Sequence, residues 1–344
     1  MSLPRRITYT PDQMQTFWQT LNAQADAVYH AEQTIRMGPM SIRIVFHHPA
    51  LESYGMSQLK LAKIPPVEKP DLVLHCMIND LLWQVCDAPI KYQKARILCQ
   101  GKPVVFNLDY QTDCFYGNDG SACYVGWKTL EEDIPRQLGH FLYKQFAGIL
   151  RQRNYHMLHG GCVGVDGAGV LLCGVGGSGK STLAAACLLN GMDYVAEDYL
   201  LLHRQGDIFR AFPTYSTMNL SEFMLENMPE YAPHDLGYRG WKGKHFVDLS
   251  HWEPQFCPGM QVNAVVLPKI TQRQTPILYE IPPTRPMAQL ISSTVRQTSN
   301  LMNDALILEL SKLLNGLPTW QMELCPDIRK NAAALRSWIA DRNK

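Results

Sequence analysis

Residues 171–202, LLCGVGGSGKSTLAAACLLNGMDYVAEDYLLL, decide the fold. An apolar run leads into a glycine-rich loop, a helical segment follows and stops at Gly191, and a second apolar run ends in Glu197 and Asp198. The loop, residues 174–181, matches the phosphate-binding pattern G-x-x-x-x-G-K-[ST] at every fixed position. This order of strand, loop, helix and strand predicts an α/β domain that binds phosphate groups at one edge of its sheet.

The glycine-rich loop has the composition that a phosphate chain requires. Glycines adopt backbone conformations closed to other residues and turn successive N–H groups towards phosphate oxygens, and the following helix adds its positive N-terminal end. Lys180 would reach the β- and γ-phosphates, and the Ser181 hydroxyl would bind Mg²⁺. We therefore expect ATP and Mg²⁺ as ligands. The predicted binding residues are Gly174, Gly176, Gly177, Ser178, Gly179, Lys180, Ser181 and Thr182.

The two adjacent carboxylates are predicted to lie beside these phosphates. Strands that end at the same edge of a sheet bring their final residues together, and only 18 positions separate Lys180 from Asp198. Mg²⁺ prefers oxygen ligands, and a hydroxyl that receives a phosphoryl group needs a base, so Glu197 and Asp198 can divide these tasks. The residues alone leave the division open, and an exposed acidic strand end is the ordinary alternative.

The segment MLHGGCVGVDGAGVLLCGVGGSGKSTLAAACLLNGMDYVAED, residues 157–198, resembles the catalytic core of HPr kinase/phosphorylase and of the wider HPr-kinase-like group. That group is related in fold to the nucleotide-binding part of ATP-dependent phosphoenolpyruvate carboxykinase. The resemblance implies that Glu197 acts on a seryl hydroxyl and that Asp198 supports Mg²⁺ or its waters. It also implies that His159 lies near the transferred phosphoryl group, although a structural histidine is the alternative.

Two features depart from the pattern of the family. The family usually has two aspartates, whereas Glu197 is one methylene longer, and the glycine-rich second signature that accompanies phosphorolysis is not found in this sequence. A relative that only phosphorylates, and that acts on another acceptor, is therefore favoured over a bifunctional enzyme.

A polar loop after the acid pair supplies weaker candidates. Lys242, Lys244 and Arg239 are suited to clamping phosphate or an acidic acceptor, with a solvated basic loop as the alternative. Glu222 is a further candidate Mg²⁺ ligand, with an ordinary glutamate at a helix N-terminus as the alternative.

The chain divides into two predicted parts. Residues 1–130 form a β-rich accessory or substrate-recognition region, with strands expected at 41–47, 71–77, 104–109 and 123–127. Residues 131–344 form the HPr-kinase-like catalytic domain. It is expected to open with one amphipathic helix, which starts near residue 129 and ends near 154, and to continue with a hairpin across Asp166-Gly167.

Composition narrows the class of protein. The chain has 344 residues, 46% of them hydrophobic, and a formal net charge of +1 without a long basic run. These values favour a folded globular protein and argue against nucleic acid or an anionic membrane as a partner. The sequence shows neither a secretory signal nor an apolar run long enough to span a bilayer, so a cytoplasmic location is expected. Ten cysteines without a CxxC pair favour reduced, mostly buried thiols.

These features together predict a kinase that uses Mg²⁺ and ATP to phosphorylate a hydroxyl, with serine favoured. The acceptor hydroxyl is that of a protein, a peptide or a small molecule, and assembly into a homo-oligomer is left open. The alternatives are an ATP-binding switch or assembly protein without kinase activity and a small-molecule enzyme of the phosphoenolpyruvate carboxykinase type. The acid pair argues against the first, and the second should show a set of arginines for a substrate carboxylate that we do not identify.

Overall fold

A computed structural model describes residues 29–78 and 139–342, except 152 and 299–303. It also describes β1 (Ile7–Thr8), four strands between residues 95 and 127, and a few isolated positions. The chain forms two compact units, Met1–Phe141 and Leu142–Lys344. The boundary expected at residue 130 stays a prediction, because residues 131–138 lie outside the described part.

In its described residues, the first unit is a mixed α/β structure with two sheets. A five-stranded sheet has the order β2-β3-β4-β8-β7, in which β3, β4 and β8 are parallel, and a three-stranded sheet has the order β1-β5-β6. The elements are β2 (Ala31–Met37), β3 (Met40–Phe46), α1 (Pro49–Gln58), β4 (Leu72–Ile78), β5 (Ala95–Cys99), β6 (Lys102–Phe106), β7 (Cys114–Asn118) and β8 (Cys123–Trp127). Strands predicted at 41–47, 71–77 and 123–127 are confirmed, and the one at 104–109 is confirmed as far as residue 106.

The second unit is built on a nine-stranded sheet with helices on both faces. Its main path is β12-β10-β11-β18-β14-β13-β9, and β20 joins β18 and β19. The strands of this sheet are β9 (Tyr155–His159), β10 (Gly161–Val165), β11 (Ala168–Leu172), β12 (Asp193–Ala196), β13 (Tyr199–Gln205), β14 (Ile208–Pro213), β18 (Met260–Ile270), β19 (Ile277–Glu280) and β20 (Thr319–Leu324). A separate small sheet contains β15 (Thr217–Leu220), β16 (Asp235–Arg239) and β17 (His245–Asp248). The helices are α2 (Tyr143–Arg151), α3 (Lys180–Leu189), α4 (Glu222–Asn227), α5 (Thr284–Thr298), α6 (Asp304–Gly316) and α7 (Ile328–Arg342).

Alternation along the central strands explains the layers. In β11, Val170 and Leu172 join a core cluster with α3 and α7, whereas Leu171 and the following Cys173 join the opposite cluster with α5 and α6. Successive side chains of a strand point to opposite faces, so an almost wholly apolar strand must be covered on both sides. β11 therefore lies between two helix layers, and the glycine-rich loop begins where this buried strand ends.

Strand direction brings several strand ends to one edge. β11 is parallel to β18, and β18 is parallel to β20. β12 is separated from β11 by β10, which is antiparallel to both, so β12 also runs in the direction of β11. The C-terminal ends of β11, β12, β18 and β20 therefore meet at the same edge.

The hairpin expected at Asp166-Gly167 is confirmed. Val165 pairs with Ala168, and the two turn residues have φ of 52° and 78°, as a two-residue turn of this twist requires.

The prediction of one long helix near residues 129–154 is wrong for the described residues that precede Tyr143. Gly139 and Leu142 have φ of 58° and 60°, which an α-helix does not allow, and the helix begins at Tyr143. The segment expected to be a polar loop at 231–244 also contains a strand, Asp235–Arg239. Its pairing with β17 could not be read from local sequence, because the partner lies beyond the loop.

The described cysteines fit the expectation of reduced thiols. Cys162, Cys173, Cys187, Cys257 and Cys325 are free thiols, and all of these but Cys257 are buried. Burial raises the pKa of Cys173 to about 12. No described helix has both the length and the apolar character needed to cross a membrane.

Gly169 provides a test of the close contact between β11 and β18. A methyl group on Gly169 would lie 2.7 Å from the Gln261 carbonyl oxygen and 2.5 Å from the Met260 sulfur. We expect Gly169→Ala to lower the free energy of unfolding by about 1–3 kcal/mol, because the backbone must move to admit the methyl group. Gly316→Ala is the matched control, since its methyl group would meet nothing within 4 Å. Urea denaturation of both variants checks this, and equal effects would contradict the packing described.

Candidate active site

The glycine-rich loop follows β11 and ends at the first turn of α3. Gly174, Gly177 and Gly179 have φ of 151°, 84° and 99°, a region that favours glycine. A methyl group on Gly174 would lie 2.6 Å from the Ser178 Oγ, and one on Gly179 would lie 2.6 Å from the Leu324 Cδ1. These three glycines are needed for the path of the loop, whereas a methyl group on Gly176 would meet nothing within 4 Å.

Lys180 is buried within this loop. It is 5% exposed, and its Nζ donates to the carbonyl oxygens of Gly174 at 2.7 Å and Val175 at 3.2 Å. Burial lowers the pKa of Lys180, while the negative charges of Asp198 and Glu197 act in the opposite direction. The ammonium group is thus held by loop carbonyls, and the negative charges of Glu197 and Asp198 are close enough to affect its pKa.

The acid pair follows β12. Glu197 is 2% exposed, and its Oε1 accepts a hydrogen bond of 2.9 Å from the backbone N–H of Asn219. Burial and then the charge of Asp198 raise the pKa of Glu197, against the influence of Lys244, the Ser181 hydroxyl and the Asn219 N–H. The carboxyl group is therefore adapted to hold a proton more readily than an exposed glutamate.

Asp198 and His159 lie next to each other at the ends of adjacent strands. His159 ends β9, which pairs with β13 so that His159 lies opposite Tyr199. The His159 Nδ1 is 2.8 Å from the Asp198 Oδ1, and the Asp198 carbonyl accepts a 2.9 Å hydrogen bond from the Gly160 N–H. His159 therefore lies within the candidate site and orients the second carboxylate.

The two candidate lysines from the 231–244 segment have different positions. Lys244 is half-buried, and its positive charge acts on both Glu197 and Lys180. Lys242 is exposed and has a left-handed backbone, with φ of 59°. Of these two lysines, Lys244 is the one whose charge reaches the acid pair.

Arg239 and Glu222 belong to a separate ion-pair cluster around His245. The His245 Nδ1 is 2.8 Å from Asp235, and its Nε2 is 2.8 Å from Glu222. The imidazole ring therefore bridges the two carboxylates. Arg239 lies 3.1 Å from the same Asp235 carboxylate. The cluster fixes the start of β17 and with it the backbone of the adjacent Lys244.

The pKa of Asp235 depends on its burial and on three neighbours. His245 and Gly237 donate hydrogen bonds to the carboxylate, and Arg239 adds a positive charge. Burial alone would raise the pKa of Asp235, but these favourable interactions outweigh it and hold the pKa below its ordinary value. The carboxylate is therefore charged over the whole neutral range.

Sequence reasoning missed three residues at the site. Asn219 donates its N–H to Glu197, and the Thr294 hydroxyl lies 3.3 Å from the His159 backbone nitrogen, which donates to it. The Gln289 Oε1 lies 3.4 Å from where a methyl group on Gly174 would be. These residues come from β15 and α5, so their proximity depends on tertiary packing, and no local motif could have indicated it.

The residues present fit a nucleoside triphosphate with Mg²⁺. At Gly174 and Gly179 the loop admits no side chain without a close contact, and the loop precedes the N-terminus of a helix. The Ser178 Oγ and the Glu197 Oε2 are buried without a regular hydrogen-bond partner among the described residues. Buried polar atoms of this kind usually have a partner, and phosphate oxygens or a hydrated cation would provide one. In the described part of the chain, no group of three or more His, Cys, Asp or Glu side chains is arranged to hold a metal ion.

Comparisons with known proteins find a sequence similarity that is confined to a short part of the chain. No family model matches the chain. A segment of 53 residues, 15% of this chain, is 43% identical to an HPr kinase/phosphorylase from Pelodictyon phaeoclathratiforme. Part of this chain is similar to that enzyme. The segment spans 16% of the relative's length.

One solved structure, the HPr(Ser) kinase/phosphatase from Coxiella burnetii, aligns with a TM-score of 0.32 and 9% identity. The alignment covers 55% of this chain and 96% of that one.

The buried Glu197 predicts a pH-dependent effect on stability. Because its folded-state pKa is raised, the folded protein binds more protons than the unfolded chain between about pH 4.5 and that raised pKa, and stability falls as the pH rises through this window. Glu197→Gln removes this penalty, so we expect it to increase the free energy of unfolding of the unligated protein at pH 7–8 by roughly 0.5–2 kcal/mol.

Denaturant unfolding at several pH values checks this expectation. The gain should disappear near pH 4 and below, where the carboxyl group is protonated in both states. A gain of equal size at all pH values would show that the effect does not come from the charge of Glu197.

Proposed function

We propose that this protein is a phosphotransferase that uses Mg²⁺ and ATP to phosphorylate a hydroxyl group. The observation that carries the proposal is a glycine-shaped loop with a buried lysine at the same sheet edge as a buried carboxylate of raised pKa. The sequence similarity of a 53-residue segment to an HPr kinase/phosphorylase supports the same chemistry.

The glycine-rich loop and Lys180 would bind the triphosphate. Backbone N–H groups of residues 174–182 would surround the phosphate oxygens, and the Lys180 ammonium would exchange its two carbonyl partners for β- and γ-phosphate oxygens. The exchange is favourable because charged oxygens replace neutral ones in a buried setting. Thr182, one residue beyond Ser181 on the first turn of α3, would contact the same phosphate chain.

Ser181 and Asp198 would hold Mg²⁺, which neutralises charge on the transferring phosphoryl group. The Ser181 hydroxyl interacts with Glu197, so it lies between the loop and the acid pair. His159 would keep the Asp198 carboxylate in a single orientation through their 2.8 Å contact. Positioning and charge neutralisation then provide most of the catalysis.

Glu197 would act as the general base. The acceptor hydroxyl gives its proton to the Glu197 carboxylate, its oxygen forms a bond to the γ-phosphorus, and the bond between that phosphorus and the oxygen bridging to ADP breaks. A carboxyl group with a raised pKa is a stronger base than an exposed one, which suits proton removal from a weakly acidic hydroxyl. Lys244 adds a second positive charge to the same region.

Serine is the favoured acceptor, by the resemblance to the HPr-kinase-like group. A protein, a peptide or a small molecule is compatible with the site as an acceptor. Binding energy for a macromolecular acceptor must come from surfaces outside the nucleotide site, and residues 1–130 are our candidate for that role.

The nucleotide site is tested by removing its lysine. Lys180→Ala should weaken Mg-ATP binding by at least about 100-fold, because several charge-assisted hydrogen bonds to phosphate are lost in a buried site. Isothermal titration calorimetry measures this, and Lys312→Ala, a change in a surface ion pair with Glu309, is the control. An unchanged affinity of Lys180→Ala for Mg-ATP would contradict the assignment of the loop as the phosphate-binding site.

The two carboxylates are distinguished by isosteric amides. Glu197→Gln should keep Mg-ATP affinity within a few-fold and lower the rate of phosphoryl transfer by about 10²–10⁴, because an amide accepts no proton. Asp198→Asn should raise the Mg²⁺ concentration needed for half-maximal rate.

Mg²⁺ titrations of ATP hydrolysis and of phosphate transfer to acceptor candidates measure both effects. The opposite pattern, in which Glu197→Gln changes the Mg²⁺ requirement and Asp198→Asn abolishes transfer, would reverse the division of roles.

A further inference from the structure

Ile270 is an exposed apolar residue beside the glycine-rich loop. It is the last residue of β18, and 61% of its surface is exposed. A methyl group on Gly179 would lie 3.4 Å from the Ile270 Cγ1, so the side chain lies against the point where the loop enters α3. No step of the proposed reaction uses this residue.

The order of strands places Ile270 on the side of the loop away from the acid pair. β12, which carries Glu197 and Asp198, lies two strands from β11 in one direction, and β18 is the immediate neighbour of β11 in the other. The γ-phosphate must face Glu197 for transfer. The α-phosphate, which carries the nucleoside, then points to the other side, where β18 and β20 end.

The strand end at Ile270 is firmly held. Ile270 pairs with Leu324 across β18 and β20. The next residue, Thr271, donates to the Leu324 carbonyl oxygen from its backbone nitrogen at 3.0 Å and from its hydroxyl at 2.8 Å. A rigid strand end of this kind presents an apolar surface without further loss of conformational freedom on binding.

The face that carries Ile270 is apolar. Leu324 belongs to the core cluster that contains α3, and the neighbouring pair Lys269 and Glu323 point to the opposite face because side chains alternate along a strand. A flat, largely apolar ring is the part of a nucleotide that such a face can cover, whereas ribose and phosphate are polar.

We propose that Ile270, backed by the buried side chain of Leu324, forms the subsite for the purine base of the nucleotide. This inference rests on the proposed function, because it requires the triphosphate to occupy the glycine-rich loop. Ile270 packs against one face of the base and removes apolar surface of both from water, which contributes affinity without selecting a reaction.

The test separates the base from the phosphates. Calorimetry of Ile270→Ser is carried out with Mg-ATP and with Mg-tripolyphosphate, which has the phosphate chain but no nucleoside. We expect about tenfold weaker binding of Mg-ATP and an affinity for Mg-tripolyphosphate within twofold of the wild type. Ile270→Phe, which offers a larger apolar face, should keep or increase the affinity for Mg-ATP.

Ile307→Ser is the matched control. Ile307 is 40% exposed and lies on α6, whose buried residues belong to the core cluster on the opposite face of the sheet from α3. This variant should bind both ligands as the wild type does. Thermal melts of all three variants confirm that they are folded at the temperature of the titration.

Other outcomes would overturn the inference in distinguishable ways. Equal weakening of both ligands in Ile270→Ser would mean that Ile270 supports the loop and does not contact a base. Unchanged affinities would mean that the base lies elsewhere, and the proposed function would stand. A wild-type protein that binds neither ligand would refute the nucleotide site itself and the proposed function with it.

Discussion

The common direction of β11 and β12 is the constraint on which the candidate site depends. Because β10 is antiparallel to both of its neighbours, the glycine-rich loop after β11 and the acid pair after β12 leave the sheet at the same edge. The antiparallel pairing of β9 with β13 then adds His159 to this edge. The loop, the acid pair and His159 come from different elements and meet through this strand pattern, and α5 adds Thr294 and Gln289 beside them.

Burial of opposite charges gives the site its character. Lys180 and Glu197 are both almost inaccessible to water. Burial lowers the pKa of Lys180 and raises the pKa of Glu197, so it favours the neutral form of each group. Neither group has an ideal partner: Lys180 uses loop carbonyls, and Glu197 has one buried oxygen without a regular hydrogen bond among the described residues. Such an arrangement is destabilising by itself and is typical of sites that bind a charged ligand.

Local sequence predicted the parts of the site that depend on local geometry. The loop, the start of α3, the hairpin at Asp166-Gly167 and the acidic end of β12 are fixed by short-range requirements for glycine, turn residues and apolar runs. The expected helix near residues 129–154 was too long because apolar spacing does not reveal the left-handed backbone at Leu142. The contacts of Asn219, Thr294 and Gln289 arise from packing between elements distant in sequence, which no local pattern encodes.

Charge balance explains why a second lysine belongs to the site. Without a nucleotide, Lys180 and Lys244 offset the pair Glu197 and Asp198, and the raised pKa of Glu197 shows that this compensation is incomplete for a fully buried carboxylate. In the proposed reaction a triphosphate would add more negative charge than Mg²⁺ alone can neutralise, so a positive group on the acceptor side would reduce repulsion between the phosphoryl group and Glu197. Lys244 is suited to this task because the residue that follows it, His245, is held by Asp235 and Glu222. Its position is therefore set by β16, β17 and α4, outside the main sheet, and an acceptor that disturbs these elements would change the electrostatics of phosphoryl transfer without touching the glycine-rich loop.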